Sequence, residues 1–172
     1  MLKLKTALGL GLPNLARVFV YQLGIKTGVN KVKSITSEIK AGNFFTSYTG
    51  SIVDYPYNTQ WGGKHAYFGV EMDYLGIPNW HKSCLNSELA PSDKPWYLIS
   101  DFNNQLGDIK GVWEASRFDW VVCFSQQVAC GDESAFIKLN TWLTDWIENN
   151  PAYNGVNWKC GQEASIRVMH LA

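Results

Sequence analysis

The 172-residue chain has no surplus of charge: 15 Lys and Arg balance 15 Asp and Glu, and neither sign forms a long run. A nucleic-acid partner needs a concentrated basic face, so none is expected. No apolar stretch approaches the roughly 20 residues that cross a bilayer, so no membrane span is expected. Cysteine is sparse. Cys84, Cys123, Cys130 and Cys160 form no C-x-x-C pair and have no histidine at zinc-finger spacing, so neither a metal site nor a disulfide framework is implied. Also missing are a serine in a nucleophile elbow, a glycine loop for phosphate and a histidine pair for a metal. The start, Met1-Leu2-Lys3-Leu4-Lys5 followed by a short apolar run, resembles a signal peptide. Pro13, Asn14 and Arg17 interrupt that run and no small-x-small cleavage site follows, so the expected location is the cytoplasm rather than the periplasm.

Aromatic residues are plentiful, with eight each of Trp, Tyr and Phe. They suit either a packed core or a surface on which sugars stack. Pro13 and Asn14 open a helix that Gly24 or Gly28 can end. Lys26, Lys31, Lys33 and Lys40 follow in a polar connection and read as a solvated face, with an acidic polymer or lipid surface as the functional alternative. From Gly42 to Gln105, Gly, Pro, Asn and aromatics interleave. Phe68, Val70, Met72 and Tyr74 alternate with polar residues as in a half-buried strand, and Trp96 to Ile99 reads as a second. Trp61-Gly62-Gly63 and Ile77-Pro78-Asn79-Trp80 read as turns.

After Gly107 the period changes to that of a helix. Three helices are expected, about 108–129, 133–149 and 160–172. In the first, Trp113, Arg117, Trp120, Phe124 and Val128 form one stripe, while Ala115, Phe118 and Val122 form a second that should also be covered. Gly131-Asp132 recaps the chain for the next helix, and Asn149-Asn150-Pro151 stops it. The expected fold class is therefore mainly α. Residues 1–106 form an N-terminal helix plus a loop- and short-strand-rich aromatic region, and residues 107–172 form a helical part.

Few side chains are placed for chemistry. Arg117 lies within an apolar row, where an unpaired guanidinium is costly, so Glu114 or Glu163 should partner it. The expected structural ion pairs are drawn from Glu114, Arg117, Glu163 and Arg167, with both arginines mostly buried. Glu163 and His170 share a helix face and could form an acid/base pair, although a structural contact is the simpler reading. His65 and His81 sit in the loop-rich region. Asn157 and Trp158, at the mouth of a helix, are best placed to hold a sugar hydroxyl or carboxylate, and Trp113 joins them as a substrate-binding candidate.

Gly42-Asn43-Phe44-Phe45, Ile77-Pro78-Asn79-Trp80-His81, Pro95-Trp96, Gly107-Asp108-Ile109-Lys110 with Trp113-Glu114-x-x-Arg117, Trp146-Ile147-x-x-Asn150-Pro151, Asn157-Trp158 and Glu163-x-x-x-Arg167 occur in this order. The ordered set resembles the heparinase II/III-like family, in particular a branch associated with bacterial surface-polysaccharide biosynthesis. The resemblance implies the N-terminal part of an α/α toroid, incomplete in this chain, and a polysaccharide lyase that cleaves uronic-acid polymers by β-elimination. It implies an acidic polysaccharide as partner, together with the C-terminal remainder of the same protein, and no cofactor or metal. The family's catalytic Asn-His and Tyr positions fall beyond Ala172, so no catalytic residue is assigned here. The alternative is a non-catalytic polysaccharide-binding or assembly subunit.

Overall fold

A computed structural model describes residues 9, 11–40, 42–54, 64–73 and 76–172. It is mainly helical with a few short strands, and divides into two compact units, residues 1–36 and 37–172. Trp80, from the aromatic region, belongs to the same core as the later helices.

In the first unit, α1 spans Leu12–Thr27 with Pro13 in its first turn, where a missing N–H costs nothing. Gly28 ends it in the left-handed region at φ 81°, its N–H reaching the Ile25 carbonyl.

In the second unit, β1 (Lys64–Tyr67) and β2 (Val70–Asp73) form an antiparallel hairpin. The expected strand through Phe68 is interrupted there. Phe68 and Gly69 both take positive φ, 51° and 79°, as a two-residue hairpin turn that matches strand twist requires. Tyr74 and the Trp61-Gly62-Gly63 turn lie outside the described residues. Trp96–Leu98 is a 3₁₀ turn rather than the expected strand. Pro95 offers no N–H to a ladder, and this stretch is instead tied to the far loop by Trp96 N–H bonding the Tyr153 carbonyl. The small pair β3 (Phe102–Asn103) and β4 (Gly107–Asp108) then leads into the helices.

The expected first helix, 108–129, is broken. It comprises α2 (Lys110–Trp113), a 3₁₀ turn (Glu114–Arg117) and α3 (Asp119–Ala129), hinged at Phe118 with φ 68°. The break has a packing cause. Phe118 is buried edge-on to Trp120 and Trp146, at 5.4 and 5.0 Å between ring centroids. Its second expected stripe does not continue, for Val122 is 41% exposed. The next two helices fall where expected: α4 is Glu133–Asn149 and α5 is Gly161–Leu171. Asp132 caps α4 by accepting from the N–H groups of Ser134 and Ala135.

The core is aromatic. Trp80, Phe118, Trp120, Phe124, Trp142 and Trp146 make a chain of tilted and edge-on contacts, closed by Leu139 and Leu143. A second cluster joins Ile99, Leu106, Ile109, Val112, Trp113 and Val156. Asn140 on α4 both accepts from the Phe45 N–H and donates to its carbonyl, which pins the extended segment across the helix without a strand partner.

Candidate functional site

The residues singled out in sequence meet around the segment 156–167, though mostly facing inward. Trp113 is buried and donates Nε1–H to the Val156 carbonyl at 2.9 Å. Asn157 has no exposed surface. Its Nδ2 donates to the Trp80 carbonyl at 3.0 Å and to Asn150 Oδ1 at 2.8 Å. Trp158, partly buried, donates to the Asn150 carbonyl. Asn157 and Trp113 thus brace the fold, closed to any ligand in solution, which corrects their expected surface role. A helix-mouth position shows only where the backbone turns. Here Trp80, 77 residues earlier in the chain, covers it.

Arg117 is held on three sides. Its Nε and Nη2 donate to the two oxygens of Glu163 at 2.8 and 2.9 Å, and its Nη1 to Glu114 Oε1 at 2.5 Å. Glu163 is buried, but the Arg117 side chain keeps 29% exposure, more than expected. Two carboxylates against one guanidinium leave the cluster electron-rich. Burial first, then the second carboxylate, push the Glu114 carboxyl above its ordinary range despite Arg117. The hydrogen bonds Arg117 donates to Glu163 raise the guanidinium's pKa as well, holding it still more firmly in the cationic state.

The expected Glu163–Arg167 pair does not form. Glu163 is occupied by Arg117, and Arg167 turns to donate Nη2–H to the Asn157 carbonyl at 2.8 Å. Its guanidinium lies over Trp146 and Trp158, 5.0 and 5.7 Å from the ring centroids, and Nη1 is buried without an acceptor. Burial pushes the group down to about 10. The tryptophan faces stand in for a counter-ion. His170 does not pair with Glu163 either: its Nδ1 donates to the Arg117 carbonyl at 2.6 Å.

One opening toward solvent lies beside Trp80. An open cavity of about 430 Å³ is lined by Ile77-Pro78-Asn79-Trp80-His81, by Ser92, and by Asp145 and Asn149 from α4. Trp80 Nε1–H donates to Asp145 Oδ1 at 2.6 Å, and His81 bonds the Asn149 carbonyl through Nε2 at 2.9 Å. A carbonyl only accepts, so Nε2 carries the proton. Burial holds the His81 ring below its ordinary pKa, so the ring is neutral and Nδ1 keeps its lone pair. Neither Asp145 nor Asn149 was expected to bind a ligand, Asn149 being read only as part of the helix stop. They sit on the polar side of an amphipathic helix, where an Asp usually only meets water. Among the described residues, no group of three or more His, Cys, Asp or Glu could hold a metal ion. The four cysteines carry thiols, and burial raises those of Cys84 and Cys123 above the ordinary range.

No known protein family, no curated protein and no solved structure matches this chain. The cavity offers a carboxylate, amides and a hydroxyl, while the His81 Nδ1 is buried away from solvent. Such groups suit the hydroxyls of a sugar.

Proposed function

We propose that the chain is the N-terminal part of a heparinase II/III-like polysaccharide lyase that acts on a uronic-acid-containing polymer in bacterial surface-polysaccharide metabolism. On this reading residues 107–172 are the first helices of an α/α toroid, and the 172 residues alone hold sugar without cleaving it. The reading rests on the ordered motifs of the resemblance, and one structural observation supports it. Motif residues from five separate stretches interlock: Asn157 with Trp80 and Asn150, Trp158 with Asn150, Trp113 with Val156 beside Asn157, and Arg117 with Glu163. These residues build one framework, and it backs a polar cavity.

A second reading is a non-catalytic polysaccharide-binding or assembly subunit, which takes these 172 residues by themselves, with Glu163 as the carboxylate weighed for acid/base work. β-Elimination needs a base free to take a proton, and both oxygens of Glu163 are engaged by Arg117.

The test measures unsaturated uronate absorbance and, separately, binding by calorimetry, across heparan sulfate, alginate, hyaluronan and bacterial capsule preparations. The expected result is binding of one of these polymers, weakened by Asp145→Asn or His81→Ala, with no absorbance rise. A sustained rise with the 172-residue chain would overturn the assignment of inactivity. Absence of binding to every polymer would overturn both readings.

A further inference from the structure

The balanced charge of the chain conceals a sharp division. Residues 1–36 contain six of its fifteen basic residues and none of its fifteen acidic ones, Glu38 being the first. Residues 37–172 are correspondingly acidic. Among the described residues of the basic unit, α1 carries the largest exposed apolar side chains. Leu12, Ala16, Phe19 and Leu23 recur at steps of four, three and four, which places them on one stripe of the helix. All four are exposed, Leu12 at 78% and Phe19 at 67%. Val20 flanks them, and Val18 lies over about 90° away round the helix, both exposed. Ile25 is the buried residue of this helix.

Around that stripe the charges are all of one sign. Arg17 is two residues from Phe19, about 200° round the helix, and so lies on the face opposite the stripe. Lys26 lies in the last turn, and Lys31 and Lys33 lie in the 3₁₀ turn that follows. All four are exposed to solvent. Long lysine stems can run along an apolar surface while their ammonium groups stay in water.

From this juxtaposition we infer that α1 is an interfacial helix that seats residues 1–36 on the surface of an anionic lipid bilayer. A hydrated polyanion such as nucleic acid or an acidic polysaccharide would satisfy the lysines but would gain nothing from Leu12, Phe19 and Leu23. A neutral apolar partner would satisfy those three but leave the one-signed charge unanswered. An anionic membrane surface answers both: acyl chains take the stripe and headgroups take the cations. The helix is not long and apolar enough to cross. Sixteen residues rise about 24 Å, short of the roughly 30 Å hydrocarbon layer, so it lies in the plane of the surface.

The experiment is co-sedimentation of the full chain with vesicles of phosphatidylcholine alone and with about one third phosphatidylglycerol, at low and high salt. The expected result is binding to the anionic vesicles, at least tenfold weaker on phosphatidylcholine and weakened by salt. Lys26→Gln/Lys31→Gln/Lys33→Gln together should weaken it on the order of a hundredfold, and Phe19→Ser/Leu23→Ser at least tenfold. All eight tryptophans lie after residue 60, so their fluorescence melts report the second unit, and unchanged melts show that it remains folded in both variants. Circular dichroism with anionic vesicles reports helix formation by the first. Equal binding to both vesicle types, or none, would overturn the inference. So would heparin binding that competes with vesicles yet survives Phe19→Ser/Leu23→Ser, since the segment would then be a polyanion site. Self-association of the lipid-free chain abolished by the same double variant would also overturn it, making the stripe a contact between copies.

Discussion

Arg117 and Glu163, 46 positions apart, meet through two parallel hydrogen bonds of 2.8 and 2.9 Å, while Glu114 takes the remaining side of the guanidinium. This pairing ties the 3₁₀ turn after α2 to the first turn of α5. It also withdraws Glu163 from Arg167, its neighbour one turn along α5. Arg117→Ala strands a buried carboxylate and should lower stability by about 3 kcal/mol. Arg117→Lys should recover less than half of that, because an ammonium cannot match the bidentate fork. Thermal or urea melts of the two variants check this.

Arg167 behaves oppositely. It is buried with no acid partner among the described residues and rests on two indole faces. Replacing a buried cation that has no counter-ion removes its desolvation cost, and Arg167→Met should lie within about 1 kcal/mol of wild type or above it. A urea midpoint lower by the amount seen for Arg117→Ala would contradict the contrast.

The pH dependence follows from His81. Burial lowers its pKa from the ordinary 6.5, so the folded state binds its proton less readily than the unfolded state does. Between 6.5 and the folded value the unfolded chain holds more protons, so stability falls as pH drops through that window. His81→Gln should flatten this part of the profile. Urea midpoints measured from pH 7.5 down to 5 in both proteins check it, and parallel slopes would refute the assignment.

Phe118 sets two effects against each other. Its left-handed backbone costs about 1–2 kcal/mol, which glycine would relieve. Its ring is buried against Trp120 and Trp146, and deleting such a side chain costs about 3–5 kcal/mol. Packing wins. Phe118→Gly should therefore be destabilised by about 2–3 kcal/mol, read from calorimetric melts.

Local signals were enough to place several elements. The period of α4, the Asp132 cap before it and Asn149-Asn150-Pro151 after it all depend on residues within a turn or two of one another, so that helix was legible from sequence. So was the need of Arg117 for an acid, since an unpaired guanidinium in an apolar row is costly wherever the chain goes. Which acid it would take, and what Arg167 would do without it, was not legible. An i,i+4 pair on a helix contributes only about 0.5 kcal/mol, and a bidentate partner 46 residues away outcompetes it once α5 packs beside the 3₁₀ turn. Asn157 was placed correctly at a helix mouth. Its burial depended on Trp80 arriving from 77 residues earlier to accept its amide. The break at Phe118 had the same origin: local propensity favoured one continuous helix, and the aromatic core, assembled from distant tryptophans, bent it.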